Sequence, residues 1–303
     1  MSELISSQVP PSNRYPPLAA EAIWLSDNAD DRALAIEKLE QGKIVMPPQE
    51  TFHFTPEEQI FLNPDCVAPG SKSIKYSPAQ QKIWGAAEQY KTSALLTGLM
   101  ANYARFARDL VDRLLPGYAA ALIVGNTSFR PVEVEGRVQS KRHDDRLLHI
   151  DAFPSRPTQG KRILRVFANV HPAGEIRHWR AGESFTNVAA RFAPCIPAPF
   201  PFSAELMRLV RITKEKRTPY DHYMMHIHDQ MKLDDSYQTT VPRSDINFPA
   251  GSTWIAFTDQ VSHAALSGQY AMEQTFFLPP DAMCNPSLSP LHILEGLKHQ
   301  RLV

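Results

Sequence analysis

Three cysteines in 303 residues, Cys66, Cys195 and Cys284, stand too far apart for a zinc spacing or a disulfide framework, which fits a reducing compartment. No apolar run approaches the ~20 residues needed to span a bilayer, and no positively charged, apolar leader opens the chain. Charge of one sign is also lacking: 32 Lys and Arg face 32 Asp and Glu. No bulk field therefore draws the chain to nucleic acid or to an anionic membrane, and an anionic ligand must be met by a local cluster. Regular strand–helix alternation is missing too, which argues against a parallel doubly wound sheet. These absences describe a cytoplasmic protein without a nucleic-acid partner.

What is present suffices for a large core, with 43% apolar and 21% charged residues. Residues 1–22 carry four prolines and little periodicity, and read as an extended arm. Acidic residues from Asp27 open a helix that Gly42 ends, and the strand K-I-V-M follows. Thr55-Pro56-Glu57-Glu58 starts a short helix to Leu62. A long helical stretch, broken near Gly85 or Gly98, is expected over Pro78 to Leu115, with an apolar stripe at Leu96, Met100, Tyr103, Phe106, Ala107, Leu110 and Leu114. Beyond Tyr118 come short β-prone runs separated by polar turns, among them R-L-L-H-I-D-A-F and R-I-L-R-V-F-A-N-V. Helices are expected at Ala204 to Arg211, at Tyr220 to Met231 and at the C-terminus, with strands G-S-T-W-I-A-F and M-E-Q-T-F-F-L between the last two. The expected fold is α+β: a double-stranded β-helix, or jelly roll, braced by N-terminal and peripheral helices. It is organised as one structural domain with an arm (1–22), a helical layer packed on the core (23–117) and a jelly-roll core with helical insertions (118–303).

Within R-L-L-H-I-D-A-F, His149 and Asp151 are two residues apart, so in extended chain their side chains share one face. Alone, such a pair is more often a surface or structural pair than a metal site. A third ligand is available at His263, 263 − 149 = 114 residues later, far enough to cross a barrel and return beside the first strand. Two histidines and one carboxylate on one face of a metal leave positions open, an arrangement that suits non-haem Fe(II) in oxygenases. His222 and His226, at i and i+4 on an expected helix, could bind zinc but have no third ligand, and packing is the better reading. His143 and His171 read as loop residues.

Oxygenases of this kind use a 2-oxo acid whose far carboxylate needs a cation, and arginine offers a bidentate fork. The segment after His263 has neither Arg nor Lys, and Gln274 stands in the expected neighbourhood. The cation must come from R-I-L-R-V-F-A-N, where Arg165 shares a face with Phe167 and Asn169 while Arg162 points the opposite way. Arg165 is the choice and Arg162 the reserve; a salt bridge at a strand end is the bland alternative for both. Arg130, Arg137, Lys141, Arg142, Arg146, Arg177 and Arg180 gather around the metal segment, which fits an anionic substrate or, equally, solvated loops paired with acids.

The ordered set T-S-F-R-P-V-E-V-E-G-R, D-D-R-L-L-H-I-D-A-F-P, R-I-L-R-V-F-A-N-V-H-P, F-P-A-G-S-T-W-I-A-F-T-D-Q-V-S-H-A-A-L-S-G-Q and E-Q-T-F-F-L closely resembles the Kdo hydroxylases. The resemblance runs from about Leu39 to Leu278. It implies an Fe(II)- and 2-oxoglutarate-dependent dioxygenase that uses O2 to hydroxylate carbon 3 of 3-deoxy-D-manno-oct-2-ulosonic acid (Kdo) in Kdo-lipid A. It also implies a Kdo-bearing lipopolysaccharide precursor as partner, met peripherally at the inner face of a Gram-negative inner membrane. Carried onto this chain, the iron ligands are His149, Asp151 and His263. The 2-oxoglutarate carboxylate partner is not fixed by the resemblance. Arg130 and Arg142 are expected to touch substrate, whose carboxylate and phosphates would account for the basic cluster. The rival readings are a 2-oxoglutarate oxygenase of another substrate, a non-catalytic cupin-like metal- or sugar-binding protein, and a zinc hydrolase on the same triad.

Overall fold

Every residue from Arg162 to Asn169 is buried, so this strand needs cover on both faces, and the layers that supply it define the architecture. The computed structural model describes residues 21–25, 31–48, 50–200 and 215–303. In chain order come β1 (Ala22–Trp24), α1 (Asp31–Glu40), β2 (Ile44–Met46), β3 (Ile74–Ser77), β4 (Lys82–Trp84), α2 (Ala94–Leu114), β5 (Ile123–Arg130), β6 (Arg162–Asn169) and β7 (Arg177–Ala181). They are followed by α3 (Phe185–Phe192), α4 (Pro219–Leu233), α5 (Asp235–Thr240), β8 (Ser244–Phe248), β9 (Thr253–Phe257), β10 (His263–Ser267), β11 (Ala271–Leu278) and α6 (Pro290–Lys298). Eight strands form one sheet in the order β1-β2-β9-β6-β11-β5-β3-β4, and β10-β7-β8 form a second. All pairs are antiparallel except β1 with β2.

On one face of β6, Leu164, Val166 and Ala168 join Phe257, Met272 and Phe276 against the buried stripe of α2. That helix starts where the Ser93 side chain accepts a hydrogen bond from the Leu96 amide, and it carries Leu96, Leu99, Met100, Tyr103, Ala107 and Leu110 at helical spacing. The Tyr103 hydroxyl, buried among them, donates to the Val166 carbonyl at 3.0 Å. On the other face, Phe167 stacks on Trp254 and meets Trp179 edge-on, while Phe248 also stacks on Trp254, which fills the space between the two sheets. Each such fully buried aliphatic or aromatic side chain contributes roughly 1.5–3 kcal/mol. Two sheets face to face with helices outside are the expected jelly roll in an α+β frame. A third cluster packs α3, α4 and α6 against Leu148 and Ile150, the neighbours of His149. Among the described residues no helix is long and apolar enough to cross a membrane.

Several elements differ from expectation. The stretch read as helix from Pro78 holds β4 instead, and α2 begins only at Ala94. Gly85 ends β4 with φ +80°, and a Cβ there would stand 2.5 Å from the Ser73 carbonyl oxygen, so the chain turns at one of the two expected breaks, with a strand before it in place of a helix. Residues 23–117, read as a helical layer with the one strand K-I-V-M, supply strands to both edges of the large sheet, because I-K-Y-S and K-I-W also find partner strands that sequence periodicity does not reveal. R-L-L-H-I-D-A-F is not a strand: it makes a single rung, His149 opposite His263. The expected helix at 204–211 and most of the 1–22 arm lie outside the described residues.

Candidate metal centre

One rung of main-chain pairing sets the spacing of the two histidines. The His149 amide donates to the His263 carbonyl at 3.0 Å, and the His263 amide donates back at 2.8 Å. Leu148 and Ile150 alternate into the helical cluster, which turns His149 and Asp151 together toward the sheets. The Asp151 amide is held by the Thr258 carbonyl at 2.8 Å, in the loop that leads to His263. Thus three ligand atoms, one from each of His149, Asp151 and His263, lie within 4.8 Å of one another.

Both imidazoles are oriented in the same way. His149 Nδ1 lies 2.7 Å from the Leu147 carbonyl and His263 Nδ1 lies 2.8 Å from the Val261 carbonyl, so each Nδ1–H donates to main chain and each Nε2 keeps its lone pair. Burial, then the positive Lys232, pushes His149 well below its ordinary pKa; burial likewise lowers His263, with Asp151 opposing. Burial alone would raise the Asp151 carboxyl, but the Arg165 guanidinium beside it outweighs burial and holds it below the usual carboxylate range. Two neutral imidazoles with free Nε2 and one ionised carboxylate are the donor set that a divalent non-haem metal requires. Asp151 Oδ2 is buried without an aligned hydrogen bond, as a ligand oxygen awaiting a metal would be. The Trp179 ring stacks on His263, with centroids 5.1 Å apart, and His228 meets His149 edge-on at 5.5 Å.

Beside the triad a cavity of about 450 Å³ opens, with Arg130, Arg165 and Glu273 in its wall. Arg165 Nη1 lies 3.0 Å from Asp151 Oδ2 and 3.4 Å from Glu273 Oε1, while its Nε is buried without a partner. Arg130 Nε donates to Glu273 Oε2 at 3.1 Å, and its Nη1 stands 3.9 Å from Asp145. Burial favours a neutral Glu273, but Arg165 and Arg130 outweigh it and hold the carboxyl below its ordinary value.

Three of the cofactor candidates are placed elsewhere. Arg162 points to the helix-covered face, where its Nε donates to Asp259 at 2.8 Å and its Nη2 to Gln260 at 2.6 Å. Gln274 shares that face and is used up by Thr127, Gly125 and the Thr275 carbonyl. Asn169 donates to the carbonyls of Glu175 and Phe248, organising the turn after β6. Arg142 lies in a short 3-10 turn, exposed and paired with Asp229 at 3.2 Å. His222 and His226 touch on α4, and His222 meets the Pro197 carbonyl; no third metal-ligating group joins them among the described residues.

Sequence reasoning passed over Glu273, Trp179 and Lys232, and placed Arg177 only in the general basic cluster. Trp179 and Arg177 were legible in principle: R-H-W-R-A is buried at every second residue, which puts both on the inner face. Arg177 donates to the Gly268 carbonyl at 3.1 Å, and burial lowers its pKa to about 10. Lys232 needed the docking of α4, which no local pattern announces. Its ammonium donates to the Arg142 carbonyl at 3.3 Å, and burial lowers its pKa.

The sequence model of a family described as 3-deoxy-D-manno-oct-2-ulosonic acid (Kdo) hydroxylase matches residues 24–301. Among solved structures, the chain is similar to the apo form of the Kdo hydroxylase KdoO, described as a non-heme Fe(II) alphaketoglutarate-dependent dioxygenase. The identity is 42%, with 93% of this chain and 97% of that one covered and a TM-score of 0.90. Complexes of KdoO with alphaketoglutarate and Fe(III), and with succinate and Fe(III), match at the same identity and coverage, with TM-scores of 0.89 and 0.88. No curated protein matches.

Proposed function

The chain belongs to the Kdo hydroxylase family, and on that premise we propose that it is the Fe(II)- and 2-oxoglutarate-dependent dioxygenase that hydroxylates carbon 3 of Kdo in Kdo-lipid A. The observation that carries the reading is the convergence of two Nε2 lone pairs and one carboxylate next to an arginine-walled cavity. His149, Asp151 and His263 would hold the metal. Iron bound there, with 2-oxoglutarate and O2, supplies the oxidative decarboxylation to succinate and carbon dioxide and the insertion of one oxygen into a C–H bond.

The chain's own residues bind and orient. Arg165, with Nε free and its guanidinium already in the cavity, takes the far carboxylate of 2-oxoglutarate. Glu273 fixes Arg165 and Arg130 relative to one another, so the cationic wall does not reorganise when an anion arrives. Trp179 stacked on His263, and Phe167 and Trp254 behind it, keep water from the inner side of the triad. Arg130, in the same cavity wall, and Arg142, exposed beside Asp229, meet the acidic groups of the acceptor. The acceptor is met at the cytoplasmic face of the inner membrane.

Succinate release by purified protein with Fe(II), ascorbate and 2-oxoglutarate under air, with and without Kdo-lipid A, tests the reading. Acceptor-stimulated succinate that is lost in His149→Ala, with a product heavier by one oxygen, is the expected result. Succinate that ignores the acceptor would return the substrate to open screening. No succinate under any condition, or turnover without O2, would sink the oxygenase.

A further inference from the structure

The cavity beside the triad carries two sets of cations in different states. Its inner pair, Arg130 and Arg165, is tied to Glu273, Asp145 and Asp151. Its outer pair, Lys75 and Arg156, has no ion-pair partner among the described residues, although both line the same wall. Sheet register explains the layout. Phe167 on β6 lies opposite Glu273 on β11, Glu273 opposite Ser128 on β5, Ser128 opposite Lys75 on β3, and Lys75 opposite Trp84 on β4. Directly opposed residues project to one face, so a single row runs from the triad outward as acid, hydroxyl, cation and aromatic ring. At about 4.8 Å per strand, the Lys75 backbone stands roughly 14 Å from β6, two strands beyond the Glu273 that ties Arg165.

We infer that Lys75 and Arg156, with Trp84 as a flat apolar wall, form an acceptor subsite for an acidic group on a sugar, either a carboxylate or a phosphate. The inference deepens the proposed function, since it names which part of the cavity reads the acceptor and leaves Arg165 to the cosubstrate. Desolvation and then Arg130 press the Lys75 ammonium below its ordinary pKa, with Glu273 opposing and Arg165 and Arg156 adding to the push, so an anion placed beside Lys75 relieves repulsion among the cations. The cavity holds about 450 Å³, within the range of small-molecule sites, and Trp84 offers the kind of aromatic surface on which the apolar face of a sugar ring rests.

The test compares wild type, Lys75→Met, Arg156→Met and Arg165→Met as full-length chains. It measures KM for acceptor and for 2-oxoglutarate in the iron-loaded enzyme, and calorimetric Kd for acceptor on metal-free protein. Three acceptors are used: Kdo methyl glycoside, Kdo-lipid A, and Kdo-lipid A with its phosphates removed. Loss of one charge-assisted hydrogen bond predicts that Lys75→Met and Arg156→Met each raise acceptor KM and Kd about tenfold or more, far beyond any change in 2-oxoglutarate KM, with Arg165→Met showing the reverse. A loss seen with all three acceptors identifies the carboxylate as the group read. A loss confined to phosphorylated Kdo-lipid A identifies the phosphate. Unchanged acceptor Kd in both variants overturns the inference, as does an equal rise in 2-oxoglutarate KM or a wild type that binds none of the acceptors. Acceptor binding that depends on Lys75 in a protein that releases no succinate would remove the oxygenase and leave the subsite standing.

Discussion

Replacing Arg162 by methionine separates a structural arginine from a cofactor-binding one. The Arg162 side chain is wholly buried and Asp259 is 1% exposed. The guanidinium meets Asp259 Oδ2 at 2.8 Å and Oδ1 at 3.4 Å, Gln260 Oε1 at 2.6 Å, and lies 3.9 Å from the Phe257 ring centroid. Burial already pushes the Asp259 carboxyl above its ordinary pKa despite Arg162, so the acid has little tolerance for losing its partner. Arg162→Met leaves a carboxylate buried and unpaired, which costs about 3–5 kcal/mol. At about 2 °C per kcal/mol for a chain of this size, the melting temperature falls by roughly 6–10 °C. Because Asp259 in the variant escapes the penalty by taking a proton, its folded pKa stays raised, and the deficit shrinks as pH falls. The double variant Arg162→Met with Asp259→Leu recovers much of the loss, since no charge remains to be buried. The assay is urea unfolding at neutral and mildly acidic pH, with KM for 2-oxoglutarate measured beside it. Wild-type stability together with a raised 2-oxoglutarate KM would show that Arg162 reaches the cosubstrate and that the assignment of Arg165 is mistaken.

Other consequences are as direct. Arg165→Lys keeps the charge but loses the fork, and KM for 2-oxoglutarate should rise about 10- to 100-fold; an unchanged KM removes Arg165 from that role. Metal-free protein should lose stability on acidification below about pH 6.5. There the unfolded chain protonates His149 and His263 while the buried imidazoles resist, giving up to about 1.4 kcal/mol per pH unit for each histidine. A urea midpoint that stays flat between pH 7 and pH 5 contradicts that burial argument. Gly85→Ala should cost at least about 1 kcal/mol in urea unfolding, from its positive φ and the clash with the Ser73 carbonyl, and a neutral outcome would mean that the turn relaxes freely.

The legible parts of this chain were those governed by local periodicity. The α2 stripe, the alternation that sends His149 and Asp151 one way and Leu148 and Ile150 the other, and the odd spacing that separates Arg162 from Arg165 all follow from geometry within one element. The strands β3 and β4 were hidden, because I-K-Y-S and K-I-W are short and depend on a partner for their conformation. Gln274 was misplaced by one residue, and in a strand one residue is a change of face, which brings Glu273 into the cavity instead. Asn169 shares the parity of Arg165, yet the turn after β6 claims its amide. Such competition between backbone and cavity for a polar side chain is decided only once the turn is folded.

The reciprocal main-chain bonds between His149 and His263 also fix an order of events in the life of the chain. The rung that sets the two imidazoles side by side joins residues 114 positions apart, so a chain in which that rung has not closed offers iron His149 and Asp151 without His263. Metal capture is thereby postponed to the finished barrel, where aromatic walls already surround the triad.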